Sequence, residues 1–335
     1  MRAPLVSIVL PAWNAAATLA ACLASIERQT EPHFECLVVD DGSTDATAAV
    51  AQATAARDPR FAVVRLPHAG VVGALTEGLA RCRAPLVARM DADDVMHRDR
   101  LLEQVAMLRD APGVAAVGTR VRFFPRATLS DGLRGYEAWL NAVDSPARVR
   151  AEAFVECPLA HPTLMVRTEV LRAVGYRDVD WPEDYDLVLR LLAAGHVLDV
   201  VPRRLHLWRD GGDRLTRTSA RYAQERIVAC KAAFLAAGLL ARTDEYVLWG
   251  YGGTGRALRR ALLAHGKRPS HVVEVDPGRL GQTIHGAPVI PHEALAAVRG
   301  KPVVASVAGA RPRDAIRVAL RALGLRETVD FVCAA

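Results

Sequence analysis

Short apolar runs alternate with longer helical patterns from the start of the chain, and this alternation constrains the fold more than any other feature. The apolar runs predict strands over 5–10, 35–40, 61–66, 85–90 and 114–119. The alanine-rich segments between them predict helices over 16–28, 45–57, 71–82 and 98–110. Strands that are apolar on both faces are typical of a parallel sheet covered by helices. We therefore expect an α/β fold with a mostly parallel central sheet.

A change of pattern near residue 240 predicts a domain boundary. The chain has 335 residues, which is long enough for two domains. Ahead of this point the sequence predicts a strand over 162–167 and helices over 146–156, 183–195 and 220–237. Strand–helix–strand units then start again and continue to the last residues. We place one domain at 1–238 and a second, smaller Rossmann-like α/β domain at 244–335.

The composition excludes several classes of protein. Hydrophobic residues make up 51% and charged residues 24%, as in soluble globular proteins and unlike disordered chains. The formal charge is +6, and arginines crowd the segment 203–221. Arginine suits a phosphorylated ligand or an anionic membrane surface. Aromatic residues total 5% and are not interleaved with a basic tract, so nucleic acid is not expected as a partner.

Cysteines and apolar segments indicate the compartment. The six cysteines are scattered without a C-x-x-C pair, as expected of reduced thiols in the cytoplasm. No stretch reaches the roughly 18 apolar residues that a spanning helix needs. Pro4, Pro11 and Asn14 interrupt the first apolar run, which favours a strand over a signal peptide. We expect a cytoplasmic protein, with peripheral contact at the inner face of the membrane left open, and the sequence indicates no oligomeric state.

Three carboxylates follow the strand predicted over 85–90. On an extended backbone residues i and i+2 point to the same side, so Asp91 and Asp93 can converge on one cation. Carboxylate oxygens suit Mg²⁺ or Mn²⁺, which keep open positions for substrate phosphates. Alternatively, these acids cap and charge the N-terminus of a helix that starts near 97, and we expect Asp94 to serve as such a cap.

A second acidic pair follows the strand predicted over 35–40. Gly42 permits a tight turn and Ser43 or Thr44 can cap the next helix, so a well-made turn explains much of this segment. It does not explain Asp40, a charged residue that ends an apolar strand. Ligands of parallel sheets gather beyond the carboxyl ends of the strands, where such a carboxylate can accept a hydrogen bond from a base or a ribose.

Three ordered motifs carry a family resemblance: PAWN at 11–14, VDDGSTD at 39–45 and DAD at 91–93. With these motifs, residues 4–235 resemble the inverting GT-A glycosyltransferases of family 2. The resemblance implies a GT-A fold, a nucleoside-diphosphate sugar as donor (UDP in first place), and Mg²⁺ or Mn²⁺ bound by Asp91 and Asp93. It also implies a role in surface polysaccharide or glycoconjugate assembly, with a glycan or lipid-linked acceptor. The segment 74–78 departs from the family pattern, so no nucleotide-contacting arginine is carried over there.

The resemblance implies roles for single residues as well. The residues assigned to the nucleotide sugar are Pro11, Ala12, Trp13, Asn14, Asp40, Asp41, His68, Asp91, Asp93 and Glu183. Asp184 would be the base that accepts the proton of the acceptor hydroxyl. The N-terminus of its helix favours the ionised carboxylate, while burial beside substrate opposes it. Candidate contacts to the diphosphate or the acceptor are His161, Arg209 and Arg214, with a structural histidine and a solvated basic face as the alternatives.

A glycine-rich segment opens the second domain. Gly250, Gly252 and Gly255 fit the dinucleotide pattern G-x-G-x-x-G between a predicted strand and a helix, and Asp276 lies near the expected ribose-binding acid. NAD(P) is therefore a candidate cofactor of this domain, and a structural or regulatory module is the alternative. For the whole protein, the alternative to a metal-dependent inverting glycosyltransferase is an NAD-dependent oxidoreductase or a nucleotide-sensing protein. That alternative does not account for the three N-terminal motifs.

Overall fold

The computed structural model describes residues 3–212, 215–298 and 300–335. The chain divides into two compact units. The first comprises Met1–Val149, Leu159–Val179 and Arg190–Arg214, and the second comprises Arg150–Pro158, Asp180–Leu189 and Leu215–Ala335. The second unit thus takes in segments that precede residue 240, and the domain boundary at that point stays a prediction.

In the described part of the chain, eight strands form the sheet of the first unit. They are β1 (Val6–Ala12), β2 (Phe34–Asp40), β3 (Phe61–Arg65), β4 (Leu86–Arg89), β5 (Val95–Met96), β6 (Val114–Phe124), β7 (Met165–Arg167) and β8 (Val197–Arg209). Their order across the sheet is β3-β2-β1-β4-β7-β6-β8-β5. β7 is antiparallel to β4 and β6, and β5 is antiparallel to β8, while the remaining pairs are parallel. The mostly parallel sheet that the sequence predicts is confirmed.

Helices follow the strands along the chain. They are α1 (Ala16–Glu27), α2 (Thr47–Arg57), α3 (Gly70–Arg81), α4 (Arg100–Asp110), α5 (Asp131–Asn141), α6 (Pro146–Glu152), α7 (Thr168–Val174) and α8 (Glu183–Ala193), with 3-10 turns at Arg126–Thr128 and His161–Thr163. Ile8 and Leu10 of β1 share one buried cluster with Leu19 and Leu23 of α1. Because successive strands run parallel, their carboxyl ends and the loops that follow them meet at one edge of the sheet.

The second sheet belongs entirely to the second unit. Its strands are β9 (Glu245–Trp249), β10 (Arg268–Val273), β11 (Thr283–Ile284), β12 (Ala287–Ile290), β13 (Val303–Ala305) and β14 (Phe331–Cys333), in the order β11-β12-β10-β9-β13-β14. Only β11 is antiparallel to its neighbour among these described strands, so the parallel ones follow the 3-2-1-4-5 order of doubly wound sheets. The helices are α9 (Leu215–Thr218), α10 (Gln224–Ala237), α11 (Gly253–Leu263) and α12 (Ala310–Ala322), with 3-10 turns at Ala220–Tyr222 and His292–Ala297.

Two further expectations concern the cysteines and the membrane. All six cysteines are free and buried, in keeping with the scattered positions of their thiols in the sequence. Within the described ranges, no helix combines the length and the apolar character that crossing a membrane requires.

Candidate functional site

Hydrogen bonds join the loops after β1 and β2 at the carboxyl edge of the first sheet. The side-chain oxygen of Asn14 accepts from the backbone N–H of Thr44 at 2.9 Å, and the Asn14 N–H donates to Ser43 Oγ at 2.9 Å. Asn14 has a φ of 48°, a left-handed conformation in which asparagine is enriched. Asn14 thus holds two loops together just beyond Pro11 and Ala12. Contacts from these three residues to a nucleotide sugar stay predictions.

Trp13 and His68 form an aromatic pair at the same edge. Their ring centroids lie 4.8 Å apart with an interplanar angle of 28°, and Trp13 is 52% exposed. His68 Nδ1 lies 2.9 Å from Asp41 Oδ2, which orients the imidazole. The Asp41 carboxylate also accepts the backbone N–H groups of Ala69 and Gly70, at 2.7 and 2.9 Å, where α3 begins. The ring pair offers a flat surface on which a base can stack. The Asp41 carboxylate, in contrast, is already engaged by Ala69, Gly70 and His68.

Asp40 is fully buried at the end of β2. Its Oδ1 accepts from the backbone N–H of Ser43 at 3.1 Å, and its Oδ2 accepts from Arg65 Nε at 3.2 Å. Gly42 has a φ of 73°, and a Cβ there would lie 2.7 Å from the backbone nitrogen of His68, so this turn requires glycine. The sequence analysis missed Arg65. It ends β3, and a charged residue that ends a strand is the same signal that identified Asp40.

Asp91, Asp93 and Asp94 each contribute one carboxylate oxygen to a group whose members lie within 4.8 Å of one another. Arg89, the last residue of β4, forms an ion pair with Asp91. The Cys22 thiol donates to the Asp91 carbonyl at 3.2 Å. A donor set of carboxylate oxygens fits a hard divalent cation such as Mg²⁺ or Mn²⁺. The predicted convergence of Asp91 and Asp93 is therefore present, and the residues fit the expected metal.

The prediction that Asp94 caps a helix is wrong. α4 begins at Arg100, directly after Asp99. Asp94 is fully buried, and its Oδ1 accepts from the backbone N–H of Arg209 at 2.7 Å while its Oδ2 lies 2.7 Å from His206 Nε2. The physical reason is strand pairing, because the residues after Asp94 form β5 against β8 before α4 starts.

The three predicted contacts to the diphosphate or the acceptor differ in their surroundings. Arg209 Nε donates to the Asp93 carbonyl at 2.7 Å, so Arg209 shapes the acidic loop. His161 is 4% exposed, and its burial, with Arg89 nearby, holds the pKa of the imidazole well below its usual range. Its Nε2 is buried without a hydrogen-bond partner among the described residues, so a satisfied structural histidine is not what the contacts show. Arg214 lies outside the described residues, and substrate contacts from all three stay predictions.

The predicted base lies in the second unit, in the first turn of α8. Asp184 is half-buried and accepts from the backbone N–H of Tyr185 at 2.7 Å. Glu183 is buried, and the Tyr222 hydroxyl donates to its carboxylate, lying 2.8 Å from both oxygens. Glu183 is thus engaged by Tyr222, a residue that the sequence analysis missed. The N-terminus of α8 favours the ionised form of the more accessible Asp184.

The glycine-rich turn of the second unit joins β9 to α11. Gly250 has a φ of 92°, and a Cβ on Gly255 would lie 2.2 Å from the Gly250 carbonyl oxygen. No atom lies within 4 Å of the position that a Cβ on Gly252 would take. Gly250 and Gly255 are therefore required by the backbone, whereas Gly252 leaves space in front of the helix.

A cavity of about 260 Å³ adjoins this turn and is lined by Gly250, Glu274 and residues of α12. Glu274 Oε1 accepts from the backbone N–H of Tyr251 at 2.7 Å. Asp276, the acid assigned to a ribose, instead accepts from the backbone N–H of Gly278 at 2.9 Å and is exposed. Glu274 rather than Asp276 lines the cavity, and a dinucleotide contact from Asp276 stays a prediction.

Sequence comparison identifies the family. Residues 7–175 match the family described as Glycosyl transferase family 2. The chain is 30% identical over 198 residues to the amylovoran biosynthesis glycosyltransferase AmsE of Erwinia amylovora, which covers 58% of this chain and 72% of AmsE.

Two solved structures share the fold. TarS 1-349 of S. aureus, in complex with UDP-GlcNAc, has a TM-score of 0.56 at 15% identity and covers 78% of this chain and 72% of its own. The mannosyltransferase PcManGT of Pyrobaculum calidifontis, in complex with GDP-Man and Mn²⁺, has a TM-score of 0.54 at 20% identity. The match covers 98% of this chain and 82% of the PcManGT chain. The comparisons support neither NAD(P) nor the oxidoreductase alternative. The chain belongs to glycosyl transferase family 2 and is a glycosyltransferase with an α/β GT-A fold.

Proposed function

We propose that the protein is a metal-dependent, inverting glycosyltransferase that moves a sugar from a nucleoside-diphosphate donor to a hydroxyl acceptor. One arrangement carries this proposal: the Trp13–His68 ring pair and the carboxylates of Asp91 and Asp93 all follow strands of one sheet at its carboxyl edge. The rings suit a base, and the carboxylates suit a cation that also binds phosphates. Together they match the two ends of a nucleoside diphosphate.

The proposed reaction is one displacement at the anomeric carbon. Asp91 and Asp93 would hold a divalent cation, which when bound offsets the negative charge of the departing diphosphate. The acceptor oxygen forms its bond to the anomeric carbon as the bond to the diphosphate oxygen breaks, and Asp184 takes up the proton of the acceptor hydroxyl. Because attack and departure occur on opposite faces of the sugar, the anomeric configuration inverts.

We propose a role in polysaccharide biosynthesis, with a glycan or lipid-linked acceptor. The name of AmsE supports this role. TarS binds UDP-GlcNAc and PcManGT binds GDP-Man, so both bases need testing, with UDP as the first candidate. The formal charge of +6 would favour peripheral contact with an anionic membrane that carries a lipid-linked acceptor.

Thermal unfolding with UDP-GlcNAc, GDP-mannose and UDP, each with and without Mn²⁺, tests the donor site. A ligand that binds only the folded state raises its stability by about 2.7 kcal/mol at 100 times its Kd. We expect at least one nucleoside diphosphate to raise the melting temperature, and the rise to be larger with Mn²⁺. Uridine, which lacks the diphosphate, is the control. No rise with any donor, or a rise that is indifferent to Mn²⁺, would contradict the proposal.

We also propose, separately, that the cavity of the second unit binds a nucleotide, NAD(P) among the candidates. The support is the glycine-rich turn after β9 and the position of Gly250 and Glu274 in the cavity lining. In the dinucleotide pattern the second glycine lets the backbone approach the pyrophosphate, and a Cβ on Gly252 would meet no atom within 4 Å. Gly252→Val should therefore abolish dinucleotide binding while the protein stays folded. Isothermal titration with NAD⁺, ADP and UDP measures this, and Gly113→Val, also free of neighbours at its Cβ, is the control. If Gly252→Val binds as tightly as wild type, the structural alternative stands.

A further inference from the structure

A fully buried arginine contacts the strand that leads into the acidic loop of the first unit. Arg100, the first residue of α4, has no exposed surface. Its Nη2 donates to the Arg89 carbonyl at 2.8 Å, and its Nε donates to Gln104 Oε1 at 3.0 Å. Its Nη1 lies 3.3 Å from His206 Nδ1. The imidazole of His206 thus lies between the Arg100 guanidinium and the Asp94 carboxylate.

The hydrogen-bond partners of His206 assign the tautomer of its imidazole. Arginine can only donate, so His206 Nδ1 must accept from Arg100. The proton then sits on Nε2, which donates to Asp94 Oδ2 at 2.7 Å. The hydrogen bonds therefore run in one direction, from Arg100 through His206 to Asp94.

Asp94 is linked in turn to Asp93 through Arg209. Its second oxygen accepts from the backbone N–H of Arg209 at 2.7 Å, and Arg209 Nε donates to the Asp93 carbonyl at 2.7 Å. The next residues form β5, in which Met96 pairs with His206 itself. The segment from Asp93 to Met96 is consequently held against β8 at several points.

Such an anchor has an electrostatic reason. Three carboxylates with oxygens within 4.8 Å of one another repel each other, and an unanchored loop would relax by moving them apart. Arg89 pairs with Asp91, and Arg100 supplies a second buried cation. Burial and the neighbouring Arg89 lower the pKa of Arg100 to about 9, so its guanidinium remains charged at neutral pH.

We propose that His206, held by Arg100, is a positioning residue that fixes the backbone of Asp93 and so presets the Asp91 and Asp93 carboxylates for a divalent cation. The inference rests on the proposed function, in which these two carboxylates hold the cation. It assigns a role to His206 and Arg100, which are buried and need to contact neither the cation nor the substrate.

Binding of Mn²⁺ to the full chain, followed by electron paramagnetic resonance with and without UDP, tests the proposal. His206→Leu removes both ring nitrogens, while His206→Gln keeps an amide that can donate to Asp94. Removing a residue that orients metal ligands costs about 10- to 100-fold in metal affinity, and we expect a rise of that size in the Mn²⁺ Kd of His206→Leu and a smaller one in His206→Gln. Because the role is positional, saturating Mn²⁺ should restore most of kcat.

Ser7→Ala is the matched control. Ser7 is buried near the amino end of β1 and donates to Glu35 Oε1 at 2.6 Å, so its loss should lower the melting temperature without changing Mn²⁺ affinity. Wild-type Mn²⁺ affinity in a folded His206→Leu protein overturns this inference alone. If His206→Leu does not fold, the same comparison with His206→Phe, which also lacks both ring nitrogens, decides. Absence of Mn²⁺ binding by the wild type overturns the proposed metal site, and this inference with it.

Discussion

Asp184→Asn is expected to lower kcat by about 10²- to 10⁴-fold, the usual contribution of a positioned base, and to leave donor affinity unchanged. Asparagine keeps an oxygen that accepts the Tyr185 N–H, so the first turn of α8 should keep its structure. An amide oxygen is not basic enough to take up the proton of the acceptor hydroxyl. Initial rates at saturating donor and acceptor measure kcat, and nucleotide titration measures donor affinity.

The control for this variant lies four residues away. Asp180→Asn changes a carboxylate whose side chain is 85% exposed just ahead of α8, and it should leave kcat unchanged. Asp184→Asn with the kcat of wild type would remove Asp184 from the role of base. Glu183 would then be the next residue to test, even though its carboxylate accepts from Tyr222.

The sequence predicts the fold best where strands are buried on both faces. Every residue of β2 is buried, and its apolar run identifies it directly. β8 was missed because Arg203 and Arg204 occupy exposed positions in its middle and interrupt the apolar run. α5 was missed because Gly132 and Gly135 lower its helix propensity. Tertiary packing decides there, since α5 residues share a cluster with Phe123 of β6.

The sequence predicts where the site lies better than it predicts the contacts within the site. Parallel strands bring their carboxyl ends together, so the acids after β2 and β4 had to lie at one edge. The partner of Asp94 could not be found in this way, because His206 is 112 positions away and meets it only through the pairing of β5 with β8. Local periodicity contains no information about such a pairing, so a helix cap was the nearest local explanation.

Asp93→Ala is expected to remove the part of donor stabilisation that depends on Mn²⁺ and to lower kcat/KM by about 10³-fold or more, since a metal supplies several kcal/mol of charge stabilisation. Thermal unfolding with UDP-GlcNAc or GDP-mannose, with and without Mn²⁺, measures the first effect, and initial rates measure the second.

Asp110→Ala is the control, because Asp110 is 67% exposed at the end of α4 and pairs with Arg109 away from the acidic loop. A Mn²⁺-dependent shift that survives in Asp93→Ala would show that the metal binds elsewhere. The double variant Asp93→Ala/His206→Leu separates metal binding by Asp93 from positioning by His206. If His206 acts through Asp93, adding His206→Leu to Asp93→Ala should cost little further Mn²⁺ affinity, whereas losses that add fully would mean that the two residues act independently.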